Sequence, residues 1–410
     1  MTVTAERRRA ELSIEPSNEC LQGKTTGEVI VLTGVTGTLG VHIFNQLRSL
    51  GQVAEIHCLI RGADQHAAGE RLRKALTSKQ LAPISESSSE IYCHTCRLTD
   101  SETLGIDPAI FENLLQKVTL IIHAAWTVNF NLPLTGFENQ LQSLQNLLSL
   151  PARSYRQDPP SILFCSSTAS VLGPATKPIS CAPNIAEKIY EDPNSASPVG
   201  YAKSKWVAER VCKTFHCEHG VNVAVARIGQ LCGDENTGTW NVTEAWPLML
   251  SSAKVIGALP KLVETLNWLK VDIAAQAVVE IGLDLIKQRR RVEDKETTVP
   301  VYHVINANTR PKWEDLLGWM KRYKPDLGVL SPHDWVERLE GLTGDAKDHP
   351  ARKLLGLWKT AYCGPEAQEK GDDPVFEMEK TLKVASMLRD VKPLDEAYFA
   401  KVWAWIEREV

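Results

Sequence analysis

The sequence predicts an α/β fold, a doubly wound parallel sheet, on three observations. Short β-branched runs alternate with helical patterns over about 200 residues of the 410. The apolar runs lack a strict polar alternation, as strands buried on both faces do. The first run, in "VIVLTGVTGTLGVHIFNQL", breaks at a cluster of small residues and at once turns amphipathic. Such alternation implies right-handed crossovers between parallel strands.

Taken in order, Glu28–Gly34 reads as the first strand and Thr38–Leu50 as its helix. "EIHCLIR" (Glu55–Arg61) is the second strand, with "GERLRKAL" on the helix after it. Ile91–Leu98 is the third, Val118–Trp126 the fourth, Ser161–Ser167 the fifth and Val221–Gly229 the sixth. "VDIAAQAVVEIGLDLI" (Val271–Ile286) is a helix whose apolar face returns to the sheet, and "VYHVINAN" (Val301–Asn308) is a late strand added to it.

An apolar share of 43% and a charged share of 23% are those of a soluble globular protein. The net charge of -4, with both signs mixed, argues against nucleic acid or an anionic membrane as partner. No apolar stretch approaches the roughly 18 residues that span a bilayer. Ten irregularly spaced cysteines fit reduced thiols, so a cytoplasmic location is expected. Cys93-x-x-Cys96 lies in a strand, where positions three apart face opposite ways. Cys212, His216, Cys217 and His219 share one helix and cannot all converge, so no metal site is expected.

Gly34, Gly37 and Gly40 form G-x-x-G-x-x-G between strand and helix. Glycines there let backbone approach a pyrophosphate, which the free N–H groups and positive dipole end of the helix then meet. The ligand expected is a dinucleotide. The second strand ends at Arg61 with no acid before Asp64, and Arg71 follows in the next helix; guanidinium groups suit a 2′-phosphate, which selects NADPH over NADH. Tyr201-x-x-x-Lys205 puts a phenol and an ammonium on one helical face, a pair suited to proton transfer. About 33 residues upstream, "CSSTAS" supplies hydroxyls for a substrate carbonyl oxygen.

In "LTGVTGTLGVHI", "CLIRG", "LIIHAAWTVNFNLPL", "SSTASVLG", "GYAKSKWVAER" and "ARIGQLCG" the chain resembles the extended short-chain dehydrogenase/reductases. More narrowly, it resembles the thioester reductase domains of nonribosomal peptide synthetases, polyketide synthases and carboxylic acid reductases. The resemblance implies a Rossmann-type sheet with a smaller, mainly helical C-terminal substrate domain. The domains expected are a polar linker over 1–27, the NADPH-binding domain over 28–235 with 272–308 returning to it, and a substrate- and carrier-binding domain over 236–410. It implies a catalytic set of Thr168, Tyr201 and Lys205, with Ser167 a one-residue alternative to Thr168. Cofactor contacts would come from Gly34, Thr36, Gly37, Thr38, Leu39, Arg61, Arg71, Leu98, His123, Ala124 and Ala125, together with Tyr201 and Lys205. Lys205 would hold the nicotinamide ribose and lower the Tyr201 pKa. Arg97 stands where the family commonly has an Asp for the adenine amino group.

What the resemblance implies is NADPH-dependent release of an acyl thioester, held on the phosphopantetheine of an acyl or peptidyl carrier protein, as an aldehyde or, after a second reduction, an alcohol. A free-carbonyl reductase, epimerase or dehydratase of the same fold is the alternative, and a binding module without catalysis a third reading. The isolated domain is expected to be a monomer. Nine of the eleven tryptophans lie beyond residue 235, where they would pack a core, a few lining an apolar cleft between the two parts.

Overall fold

Every strand of the main sheet runs parallel to its neighbours: β1 (Glu28–Thr33), β2 (Val53–Ile60), β3 (Glu90–Thr95), β4 (Leu120–His123), β5 (Ser161–Ser167), β6 (Val223–Ile228) and β7 (Val301–Val304). The computed structural model describes residues 27–87, 89–173, 184–289, 298–343, 349–363 and 373–410; of the expected linker only Gly27 lies among them. The spatial order is β3-β2-β1-β4-β5-β6-β7. The chain therefore winds outwards in both directions from the β1–β4 pair, and the strand order reverses there. A crevice opens at such a reversal, outside the carboxyl ends of the strands.

Burial on both faces explains the near-continuous apolar runs. Ile30 and Leu32 of β1 join one core with helices α1 (Thr38–Leu47) and α2 (Gln65–Ser78). Val29 and Val31 point the other way, into a core with α3 (Pro108–Lys117), α4 (Glu138–Leu148) and α5 (Gly200–His219). Cys93 and Cys96 divide likewise between the two cores. Local signals mark the helix ends. Asp64 caps α2 by accepting from the Ala67 N–H at 2.7 Å, and Asp107 caps α3 with Pro108 in its first turn. Gly220, at φ +66, closes α5 in the left-handed conformation.

Beyond β6 the chain enters a second module through α6 (Ala245–Val255), then comes back as α7 (Val271–Arg289), which packs with α1 and lies over β4 and β5. Gly282 makes that approach possible: a Cβ there would stand 2.9 Å from the Leu120 side chain. β7 then pairs with β6 at the sheet edge. The fourth strand stops at His123 rather than Trp126, because the chain leaves the sheet to cross the glycine turn.

Helices α8 (Trp313–Tyr323), α9 (Pro332–Glu340), α10 (Leu355–Cys363) and α11 (Glu396–Glu409) complete the second module with α6. Here the tryptophans pack the core expected of them. Trp240, Trp268, Trp313, Trp335, Trp358 and Trp403 are buried in one cluster, and Trp246, Trp319 and Trp405 pack against it. Indole N–H groups find partners inside it: Trp313 donates to the Pro260 carbonyl at 2.8 Å and Trp335 to the Ser252 hydroxyl at 3.0 Å. Large rings with satisfied N–H groups are what a small helical core needs.

Gly282→Val should lift α7 from the sheet and lower stability by about 1–3 kcal/mol. Urea unfolding of the full chain, compared with the conservative Gly282→Ala, measures it.

Candidate functional site

The glycine turn lies flush on the end of β4. Gly34 adopts φ +76, and a Cβ on it would meet the Ala124 and Ala125 backbone at 2.6 Å. A Cβ on Gly40 would come within 2.1 Å of the Gly34 carbonyl oxygen. Both positions exclude any side chain, so the backbone of β1, α1 and β4 converges without side chains between. The first turn of α1 has Gly37 as its cap, with no side-chain cap hydrogen bond among the described residues. A helix N-terminus without a side-chain cap, at a strand-order reversal, fits an anionic dinucleotide.

The other predicted residues divide among the glycine turn, the tip of β2 and the core. Thr36, Thr38 and Leu39 are half-buried around the turn. His123 is buried; its Nδ1 lies 2.7 Å from the Thr33 hydroxyl, and its Nε2 has no hydrogen-bond partner among the described residues. Burial lowers its pKa to about 3, so the ring is neutral. Arg61 and Arg71 stand exposed at the tip of β2, where Arg71 donates to the Arg61 carbonyl. Leu98 packs into the α3–α5 core, and its carbonyl accepts from Asn146 at 2.8 Å. Arg97 points to solvent and pairs with Asp100 at 3.6 Å.

The hydroxyl–Tyr–Lys set is assembled by β5 and α5. Gly200 opens the helix against the Leu132–Leu134 backbone, where a Cβ would lie 2.2 Å from the Leu132 oxygen. Tyr201, half-buried, shares a hydrogen bond with Ser167, the last residue of β5. Ser167 also accepts from the Ala169 N–H at 3.2 Å. Thr168, half-buried, opens the short turn that follows, and its side chain makes no hydrogen bond among the described residues. Lys205 is 3% exposed and donates to the Cys165 carbonyl at 2.7 Å. Its ammonium stands 4.3 Å from the Trp126 ring centre and 4.7 Å from that of Phe164.

Electrostatics here differ from the expectation that Lys205 lowers the Tyr201 pKa. Burial pushes the phenol up to about 12, with the Ser167 hydrogen bond opposing it. Burial likewise pulls Lys205 down to about 7, while Cys165 and Glu209 raise it. The physical reason is that Nζ is committed to the Cys165 carbonyl, 6.0 Å from the phenol ring centre, and desolvation outweighs the cation at that range.

Sequence reasoning missed two groups. Val128, Phe130 and Leu134 are exposed apolar side chains on the segment after β4, and Phe130 meets the Tyr201 ring edge-on at 5.3 Å. Behind the site, Glu209 and Arg227 form an ion pair at 2.7 Å, both essentially inaccessible. Glu209 follows Lys205 by four residues, a helical spacing that was legible.

A family model described as Male sterility protein matches residues 32–278. An adenylate-forming reductase of Stachybotrys bisbyi is 28% identical over 346 residues, covering 83% of this chain and 31% of the relative. A non-ribosomal peptide synthetase of Acremonium egyptiacum is 27% identical over 371 residues, 85% of this chain and 32% of the relative. The chain thus spans about a third of the length of these curated relatives. The crystal structure of the terminal R domain from the myxalamid PKS-NRPS pathway superposes with a TM-score of 0.75 at 22% identity, covering 99% of this chain and 98% of that one; at that identity the likeness is one of fold.

Because the Lys205 pKa is lowered on folding, its burial destabilises the chain most where both states are protonated. Lys205→Met should therefore raise the melting temperature below about pH 7, with a gain that shrinks as the pH climbs towards about 10. Scanning calorimetry across that range checks the sign.

Proposed function

Since the chain belongs to the Male sterility protein family of NAD-binding domains, we propose that it reduces an acyl thioester carried on phosphopantetheine, using NADPH, and releases an aldehyde. One observation carries this reading: Tyr201 is hydrogen-bonded to Ser167 one helical turn from the buried Lys205, whose ammonium stands over Trp126, the residue that follows the Ala124–Ala125 backbone against which the glycine turn packs. The named activity of one relative, an adenylate-forming reductase, is of the same kind.

When bound, NADPH supplies the hydride for the thioester carbonyl carbon. Gly34, Gly37 and the first turn of α1 hold its pyrophosphate, and Arg61 with Arg71 its 2′-phosphate. Ser167, engaged twice within the chain, orients the phenol. Thr168, with its hydroxyl free among the described residues, donates to the carbonyl oxygen. Tyr201 donates the second hydrogen bond there and gives up its proton as charge develops. Lys205 then faces the nascent phenolate as an ammonium. Collapse of the tetrahedral hemithioacetal breaks the C–S bond, so hydride and proton together yield an aldehyde and a thiol. Val128, Phe130 and Leu134 give the acyl group an apolar entrance. The thiol-bearing arm implies an acyl or peptidyl carrier protein as partner.

Purified chain is to be given NADPH with an acyl-pantetheine thioester, a sugar nucleotide or a simple ketone, and products identified by mass. Thioester turnover alone supports the proposal; turnover of only the other two overturns it. Tyr201→Phe should cut thioester turnover by about 10²-fold or more. Thr168→Val should lower kcat more than Ser167→Ala if Thr168 meets the substrate. Arg61→Ala should raise KM for NADPH far more than KM for NADH, and equal effects would refute the phosphate assignment.

A further inference from the structure

Arg227 lies on the same rung of the sheet as Ser166 of β5 and His303 of β7, so the three side chains share one face. Onto this rung α5 projects Glu209, one turn beyond Lys205. Its carboxylate accepts from Ser166 at 2.6 Å and from Ser170 at 2.7 Å, the two serines that bracket Ser167 and Thr168. The single Ser170 hydroxyl proton is shared with the Ser167 carbonyl, which also lies 2.7 Å from Oγ. Arg227 in turn donates to Glu209 at 2.7 Å, to the Lys188 carbonyl at 2.8 Å and towards His303 Nε2 at 3.3 Å. Glu209 is 1% and Arg227 0% exposed.

A charge pair taken wholly out of water is seldom the most stable filling for a core, since apolar side chains of similar volume serve as well or better. This one joins the elements that carry the reacting hydroxyls. Misplacing such groups by about 1 Å costs about 10²-fold in rate. We propose that Glu209 is a positioning residue: with Arg227 as counter-ion, it clamps the hydroxyl turn at the end of β5 onto the helix carrying Tyr201 and Lys205. The proposal rests on the reductive reading for its kinetic consequence but not for its electrostatic one. Around Lys205 stand Tyr201, Glu209 and Cys212 of its own helix, Cys165 of β5 and His123 of β4, and among these Glu209 supplies the carboxylate. Removing either partner of the pair therefore changes the field at Lys205 in opposite senses.

Four variants test it: Glu209→Gln, which keeps an acceptor oxygen but no charge; Arg227→Met; the charge-balanced Glu209→Met/Arg227→Met; and Ser170→Ala. Lys205 is titrated by NMR in protein isotopically labelled at lysine Cε, its resonance assigned by its loss in Lys205→Met. That measurement needs neither substrate nor cofactor. The Lys205 pKa should fall in Glu209→Gln and rise in Arg227→Met. In Ser170→Ala and in the double variant, kcat should drop about 10- to 100-fold while KM for NADPH stays within about threefold. Should a single charge variant fail to fold, the double variant and Ser170→Ala decide. Wild-type kcat in both, or a Lys205 titration that stays put in each folded single variant, overturns the proposal. A wild-type chain that reduces no thioester sinks the functional reading instead, and the titration still judges the clamp.

Discussion

Backbone meets backbone where Gly34 crosses the end of β4, and the rest of the site depends on that contact. With a Cβ on Gly34 or Gly40 the turn could not close, since each would overlap main-chain atoms at 2.6 and 2.1 Å. Closing it aims the first turn of α1 into the crevice where the strand order reverses. The same contact puts His123 and Ala124 at the floor of that crevice, one strand away from the hydroxyls that end β5. A loop displaced outwards would leave the Tyr–Lys helix facing nothing that could hold an anion.

The neighbouring helix violates the rule that its inner face should be apolar. On α5, Ala202, Ala208 and Cys212 are buried as the pattern requires, yet Lys205 and Glu209 are buried with them. Neither charge is idle. Lys205 satisfies the Cys165 carbonyl and stands beside the touching rings of Trp126 and Phe164. Glu209 is met by two hydroxyls and a guanidinium. Buried polar groups so fully engaged hold their neighbours in one arrangement, which a reacting site needs more than it needs stability.

The second module contributes by a different means. Its tryptophans fill one core, with N–H groups bound inside it, and so fix short helices that could not stand alone. Passage of the chain through this module and back, by α7 over the sheet and β7 at its edge, ties the two cores into one covalent path. The exposed Val128, Phe130 and Leu134, by contrast, lie on the segment after β4 within the sheet domain itself, with Phe130 against Tyr201.

Strand identity, parallel direction and the glycine turn were legible in the sequence because each is a local pattern. Apolar runs without alternation, Gly34, Gly37 and Gly40 at a strand–helix junction, and Tyr201 four residues before Lys205 all report short-range geometry. Enrichment in tryptophan pointed to a core beyond residue 235, but not to which neighbours would surround each ring. The pairing of Tyr201 with Ser167 was not legible, nor was the commitment of Lys205 to a backbone carbonyl that lets burial govern both titrations. The hydrogen bonds around Glu209 and Arg227 join residues from 166 to 303 along the chain. Contacts at such separations are set by strand register and by what desolvation leaves for each charge to bind, and only the assembled sheet decides those.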